Sequence, residues 1–249
     1  MPLTLFYAPM TCALVPYVAL LEAGATFDVR AFNTRADHHL TPEFLAINPK
    51  HKVPVLIVDG RPLTENVAIQ LWIDREFPQA RLLPDDPWDR MQAISLMSWI
   101  TSTIHPHLTH NPRPENHCDT PGSADGVRRV GARLLAEDFA IAEQQLAGRE
   151  WFFDRWTTVD TYFYWAFRRA ISFKLDLAAF PHCHAHRARV EAQASVQQVL
   201  DYEKTVLEQC ARGELRTVIH SSRVTAFRRQ RAPDSPDTAR RRDSRTTRS

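Results

Sequence analysis

The chain has little cysteine, no long apolar run and no internal repeat, and each absence removes a class of protein. Its four cysteines stand far apart, as Cys12, Cys118, Cys183 and Cys210. They are too few and too scattered for a disulfide scaffold, and no CxxC pair exists to carry dithiol chemistry. A reducing, cytoplasmic setting is the expectation. No stretch reaches the ~18 apolar residues of a membrane span. Met1-Pro2-Leu3-Thr4 lacks the basic start and apolar core of a secretory signal. What is there is globular: 249 residues, 44% hydrophobic and 24% charged, with material for a sizeable core.

Net charge is only +2, but it is uneven. Residues 213–249 hold ten Arg against Glu214, Asp234, Asp237 and Asp243, a net of +6, which leaves −4 for residues 1–212. This basic tail carries Arg228-Arg229, Arg240-Arg241-Arg242, two prolines and scattered apolar residues. It cannot bury enough area to offset ordering entropy and is expected to be disordered. Arg runs contact phosphates. With no aromatic interleaving beyond Phe227, specific nucleic-acid binding is not expected.

Residues 1–77 alternate strand and helix signals. Leu3 to Tyr7 reads as a strand, Cys12 to Glu22 as a helix ended by Gly24, and Thr26 to Asn33 as a second strand. Thr41-Pro42-Glu43 starts a helix. Val53 to Val58 is a buried strand, Asp59-Gly60 a hairpin turn, Leu63 its short partner, and Glu65 to Phe77 a helix. The order βαβαββα predicts a mixed sheet, as in the thioredoxin fold. Residues 78–87, with three prolines, read as a linker. Residues 88–212 read as an all-α domain: Trp88 to His105, a Pro-rich break at 111–122, then helices at Ser123–Ala147, Thr157–Leu175, Pro181–Ala192 and Ser195–Arg212.

Three segments carry chemistry. Cys12 follows a strand and a proline at a predicted helix start, where free N–H groups and the helix dipole favour thiolate. The competing role is a small buried hydrophobe. Tyr7 ends the preceding strand, and its hydroxyl is expected to donate to a sulfur at the same mouth. Lys52-Val53-Pro54 opens a strand with a proline that can be cis, leaving the Val53 backbone free to pair with a peptide-like ligand. The competing role is an ordinary edge strand. Thr64-Glu65-Asn66 joins a strand to a helix, with N–H groups for a carboxylate and Glu65 for an ammonium. A plain N-cap is the safer reading of that segment alone. Taken together at one end of the sheet, the three describe a small, charged, thiol-bearing peptide as ligand.

Tyr7-Ala8-Pro9-Met10-Thr11-Cys12, Asn48-Pro49-Lys50-His51-Lys52-Val53-Pro54-Val55-Leu56 and Leu63-Thr64-Glu65-Asn66-Val67-Ala68-Ile69 resemble cytosolic glutathione S-transferases, nearest the bacterial beta class. The resemblance spans about residues 3 to 210, and Thr157-Thr158-Val159-Asp160 looks like the family's helix-capping box. It implies glutathione as co-substrate, no metal, a small hydrophobic electrophile and a homodimer. By position it implies that Cys12 contacts the glutathione sulfur, or carries glutathione as a mixed disulfide. Val53 would pair with the cysteinyl backbone, Pro54 would be the cis-proline, and Glu65 and Asn66 would hold the γ-glutamyl end. His105 would face the sulfur, and Arg35 and Lys52 belong to the binding set. Pro106, directly after His105, is a departure expected to kink or end that helix.

His182-Cys183-His184-x-His186 has metal-ligand spacing, but on a predicted surface helix adventitious binding is the expectation. An apolar pocket against residues 88–110 and 157–175 is expected to hold the electrophile, with Trp99, Tyr162, Trp165 and Phe167 as wall or core. The competing functions are a non-catalytic binding or regulatory scaffold and a glutathione-dependent isomerase or dehalogenase.

Overall fold

The computed structural model describes residues 1–215 and 221–225. The chain runs β1 (Leu3–Tyr7), α1 (Leu14–Glu22), β2 (Thr26–Ala31), α2 (Pro42–Ile47), β3 (Val55–Val58), β4 (Arg61–Thr64) and α3 (Asn66–Glu76). Strand β1 pairs parallel with β2 and antiparallel with β3, and β3 pairs antiparallel with β4. This is the mixed sheet that the order predicts. Asp59 and Gly60 both take positive φ, 48° and 78°, which matches the hairpin twist. Helix α1 packs on α3 and on two helices of the second half, so its residues from Leu14 to Leu21 are all buried.

The second half is helical: α4 (Pro87–Trp99), α5 (His105–Thr109), α6 (Ala124–Leu146), α7 (Thr158–Ser172), α8 (Pro181–Glu191) and α9 (Ala194–Ala211). The segment between α4 and α5 excludes one of the two outcomes expected of Pro106, a kink or an end. Pro106 does not end the helix; the chain passes through a π-turn, Ile100–Ile104, and continues to Thr109. A proline in a straight α-helix loses a hydrogen bond and collides with the carbonyl four residues back. The wider turn, in which the His105 N–H donates to the Ile100 carbonyl, removes that conflict. Helix α6 crosses α5 closely at Gly131, where a Cβ would sit 2.4 Å from the Cβ of His110.

The segment expected as a linker, residues 78–87, is packed at its centre. Leu82 and Leu83 are buried, and Arg155 donates to the carbonyls of Arg81 and Leu83. Arg90 of α4 pairs with Asp74 of α3 across the same junction.

Helix α7 runs through the core. Asp160, with 0% exposure, sits in its first turn and accepts four hydrogen bonds. The Thr157 N–H and hydroxyl donate to Oδ2 at 2.7 and 3.0 Å. The Phe152 N–H donates to Oδ1 at 3.0 Å, and His186 Nε2 lies 2.9 Å from the same oxygen. The capping box is therefore present. His186 is correspondingly fully buried, on the inner face of a surface helix whose His182 and His184 are exposed. Among the described residues no group of three or more His, Cys, Asp or Glu is placed to hold a metal ion.

The tail departs from expectation in one place. Ser221–Thr225 forms a fifth strand, β5, antiparallel to β2, giving the sheet order β4-β3-β1-β2-β5. The β2 edge would otherwise expose unpaired backbone groups, and this pairing satisfies them. The rest of the expected tail, residues 216–220 and 226–249, lies outside the described residues. No helix among the described residues is long and apolar enough to cross a membrane.

Removing the Asp160 carboxylate strands several buried donors. Asp160→Ala should lower folding stability by about 3 kcal/mol or more, and Asp160→Asn by less. Urea denaturation measures both; a loss of under about 1 kcal/mol in the alanine variant would contradict the anchoring role.

Candidate active site

A cavity of about 580 Å³ opens between the β1–α1 loop, the segment before β3, and helices α5 and α7. The loop is held from both sides. Its Met10 takes φ +62°, its N–H donates to Glu203 Oε2 of α9 at 2.7 Å, and its carbonyl accepts from Trp165 Nε1 of α7 at 3.3 Å. Glu203 is 1% exposed and is itself held by Arg168.

Cys12 lines the cavity but is only 6% exposed. Its carbonyl accepts from the Asn66 amide at 2.8 Å, and its Sγ–H donates to the Val53 carbonyl at 3.7 Å. Helix α1 starts at Leu14, two residues later than expected, so Cys12 lies in the turn ahead of it. Of the two roles expected of Cys12, reactive thiolate or small buried hydrophobe, its burial favours the second in the ligand-free chain. Burial pushes the Cys12 thiol up to about 12, against the smaller opposing pull of the Asn66 amide and its own backbone N–H. At neutral pH it is a neutral hydrogen-bond donor.

The Val53–Pro54 peptide is cis, and β3 begins only at Val55, so Val53 stands outside the strand ladder at the cavity wall. His105 faces the cavity from α5, its ring edge against Trp165 with centroids 4.7 Å apart. Burial, helped by the charges of Lys52 and Arg169, brings His105 down to about 4, so it is a neutral imidazole at pH 7. Lys52 lines the same cavity.

Other expected residues stand elsewhere. The Tyr7 hydroxyl does not reach the mouth; it donates to Glu203 Oε2 at 2.8 Å, and burial followed by Glu203 raises its pKa. Arg35 does not line the cavity, although Thr34 and Asp37 do. Asn66 is spent on positioning: it holds Cys12, and its Oδ1 accepts from Gln70 at 3.2 Å. Glu65 has φ +70°, ahead of α3, with an exposed carboxylate paired to Lys50. Neither Glu65 nor Asn66 is part of the cavity lining.

Glu203, Arg113 and Arg169 escaped the sequence reading. Glu203 left a signal: Val196, Val199 and Val206 share its helix face, so an acid among them had to be buried and paired. The cavity is also less apolar than expected, because Lys52, Arg113 and Arg169 join Leu108, Trp165 and Phe173 in its wall.

Residues 1–75 match the family model described as glutathione S-transferase, N-terminal domain. The chain is 30% identical over 205 residues to glutathione S-transferase GstA of Escherichia coli, covering 80% of this chain and 98% of that protein. It is 30% identical over 169 residues to maleylacetoacetate isomerase of Pseudomonas aeruginosa, covering 66% of this chain and 79% of that protein. Among solved structures, a glutathione transferase homologue from Sulfitobacter with bound glutathione superposes with a TM-score of 0.76 at 26% identity, over 80% of this chain and 97% of that one.

Two outcomes follow from the buried groups. Alkylation of Cys12 by iodoacetamide in the ligand-free protein should keep rising with pH beyond its ordinary 9.0, and mass spectrometry showing a plateau near neutrality would contradict the raised value. For His105 the neutral form is favoured by folding, so its stability contribution is whole above its ordinary 6.5 and lost as pH falls towards about 4. His105→Gln should flatten the stability curve in that window; an unchanged slope in denaturant titrations counts against it.

Proposed function

The chain belongs to the glutathione S-transferase family, and on that footing we propose that it binds glutathione in this cleft and transfers it to a carbon electrophile. The observation that carries the reading is the placement of Cys12, Val53 and His105 around one cavity. The cysteinyl backbone of glutathione pairs with Val53, as in strand addition. Its sulfur lies near Cys12, which offers a neutral S–H, while Lys52 supplies positive charge; both favour a bound thiolate. Thr64, Glu65 and the start of α3 hold the γ-glutamyl end. The thiolate attacks the electrophilic carbon, a carbon–sulfur bond forms, and the leaving group departs with its electron pair.

Covalent thiol transfer through Cys12 is the weaker version. A thiol held near 12 has little thiolate at neutral pH, and the attacking species must be thiolate. Isomerisation is the second reading, favoured by the likeness to an isomerase in the Pseudomonas protein. It shares the first step and ends by expelling the same thiolate. A homodimer is part of the proposal: Trp88 and Met91 of α4 are exposed at 69% and 54%, an apolar pair suited to burial.

Calorimetry should show saturable glutathione binding, and intact mass should show no reductant-sensitive adduct. Cys12→Ala should lower conjugation about tenfold through loss of one hydrogen bond to the thiolate. No binding overturns the reading. An adduct on Cys12 that reductant removes replaces conjugation with thiol transfer.

A further inference from the structure

The helical wall of the cleft carries two guanidiniums with no carboxylate set against them. Arg113 stands exposed just before Pro114, at the rim. Arg169 is half-buried on α7 and lines the same cavity. Its Nη1 donates to Ser172 Oγ at 3.3 Å, and its guanidinium lies over the Phe173 ring at 4.6 Å. Among the described residues neither arginine makes a salt bridge. The carboxylate that attracts Arg169, Glu203, is already held by Arg168. Burial and the neighbouring charges of Arg35 and Arg168 disfavour the Arg169 cation.

Both charges reach into the cleft. Arg169 acts on His105, and Arg113 acts on His39 across the opening. Lys52 adds a third cation on the facing wall, and Asp37 is the single acid among the lining residues. Arg169 is partly desolvated and faces a hydroxyl and a ring rather than a carboxylate, and an anion that enters gives it a charge-assisted bond. Leu108, Trp165 and Phe173 line the same cavity and offer an apolar seat beside the charges.

Resting on the proposed transferase reading, the geometry points to a second substrate that is itself anionic. It is a small electrophile with an apolar body and a carboxylate, the carboxylate directed to Arg113 and Arg169. Neutral electrophiles lack the group that these two cations would pair. Glutathione also carries carboxylates, and the test must tell the two sources apart.

A chloronitrobenzoate and its methyl ester serve as paired probes. In each, the glutathione thiolate forms the carbon–sulfur bond and chloride leaves with its electron pair. Each rate is divided by the uncatalysed rate with free glutathione, which removes the difference in intrinsic reactivity. The wild-type chain should favour the acid over the ester by about tenfold. Arg113→Gln and Arg169→Gln should each reduce that preference several-fold by raising KM for the acid, and Arg169→Lys should recover part of it. Equal losses for acid and ester would mean a structural role and overturn the inference. A rise in KM for glutathione that is the same with either probe would assign the arginines to glutathione's own carboxylate, and would also overturn it. A wild-type preference for the ester, with glutathione binding intact, removes this inference alone. Absence of glutathione binding removes the transferase reading and this inference with it.

Discussion

The carboxylate of Asp160 is fully buried, and the position of α7 follows from how it is satisfied. Its two oxygens take the Thr157 N–H and hydroxyl, the Phe152 N–H and the His186 ring. A buried charge without such partners would be strongly destabilising, so the loop before α7, the helix start and α8 are held in one arrangement. From that start a buried chain of side chains leads to the other half of the molecule. Thr158 donates to Gln70 at 2.6 Å, Gln70 donates to Asn66 at 3.2 Å, and Asn66 donates to the Cys12 carbonyl at 2.8 Å. Four turns of one helix thus carry Trp165 and Arg169 to the cleft while their first turn fixes the cysteine.

Burial, more than any helix dipole, sets the chemistry of the cleft. It raises the Cys12 thiol and lowers the His105 imidazole, which leaves both uncharged at neutral pH. Fixed positive charge comes instead from Lys52, Arg113 and Arg169. A cleft of neutral donors and unpaired cations is suited to stabilising charge brought in by ligands.

Features set by short stretches of chain were legible in the sequence. The Asp59-Gly60 hairpin, the order of the first seven elements and the Thr157–Asp160 box each depend on a few adjacent residues, and each is found where it was read. Features set by distant partners were not. The Tyr7 hydroxyl turns to Glu203, which is 196 residues away in sequence. The thiol of Cys12 is shaped by residues from α3 and the segment before β3 as well as by the turn it sits in. The π-turn before His105 is intermediate: Pro106 announces a conflict, but whether the helix ends or widens is decided by the packing of Ile100, Ile104 and Leu108 into the core. Strand β5 is of the same kind, since an edge strand is specified by the edge it covers.

The clamp of Glu203 on the Met10 backbone joins positions 193 residues apart. The loop that presents Cys12 is therefore synthesised well before its partner in α9. At synthesis rates of about 5–20 residues per second, the interval is roughly 10–40 s. Throughout it the nascent thioredoxin-like half holds its cysteine in a loop without its final tether. Until α9 arrives, the Met10 N–H lacks the buried carboxylate that holds it in the folded protein, so the geometry of the Cys12 turn is completed only then.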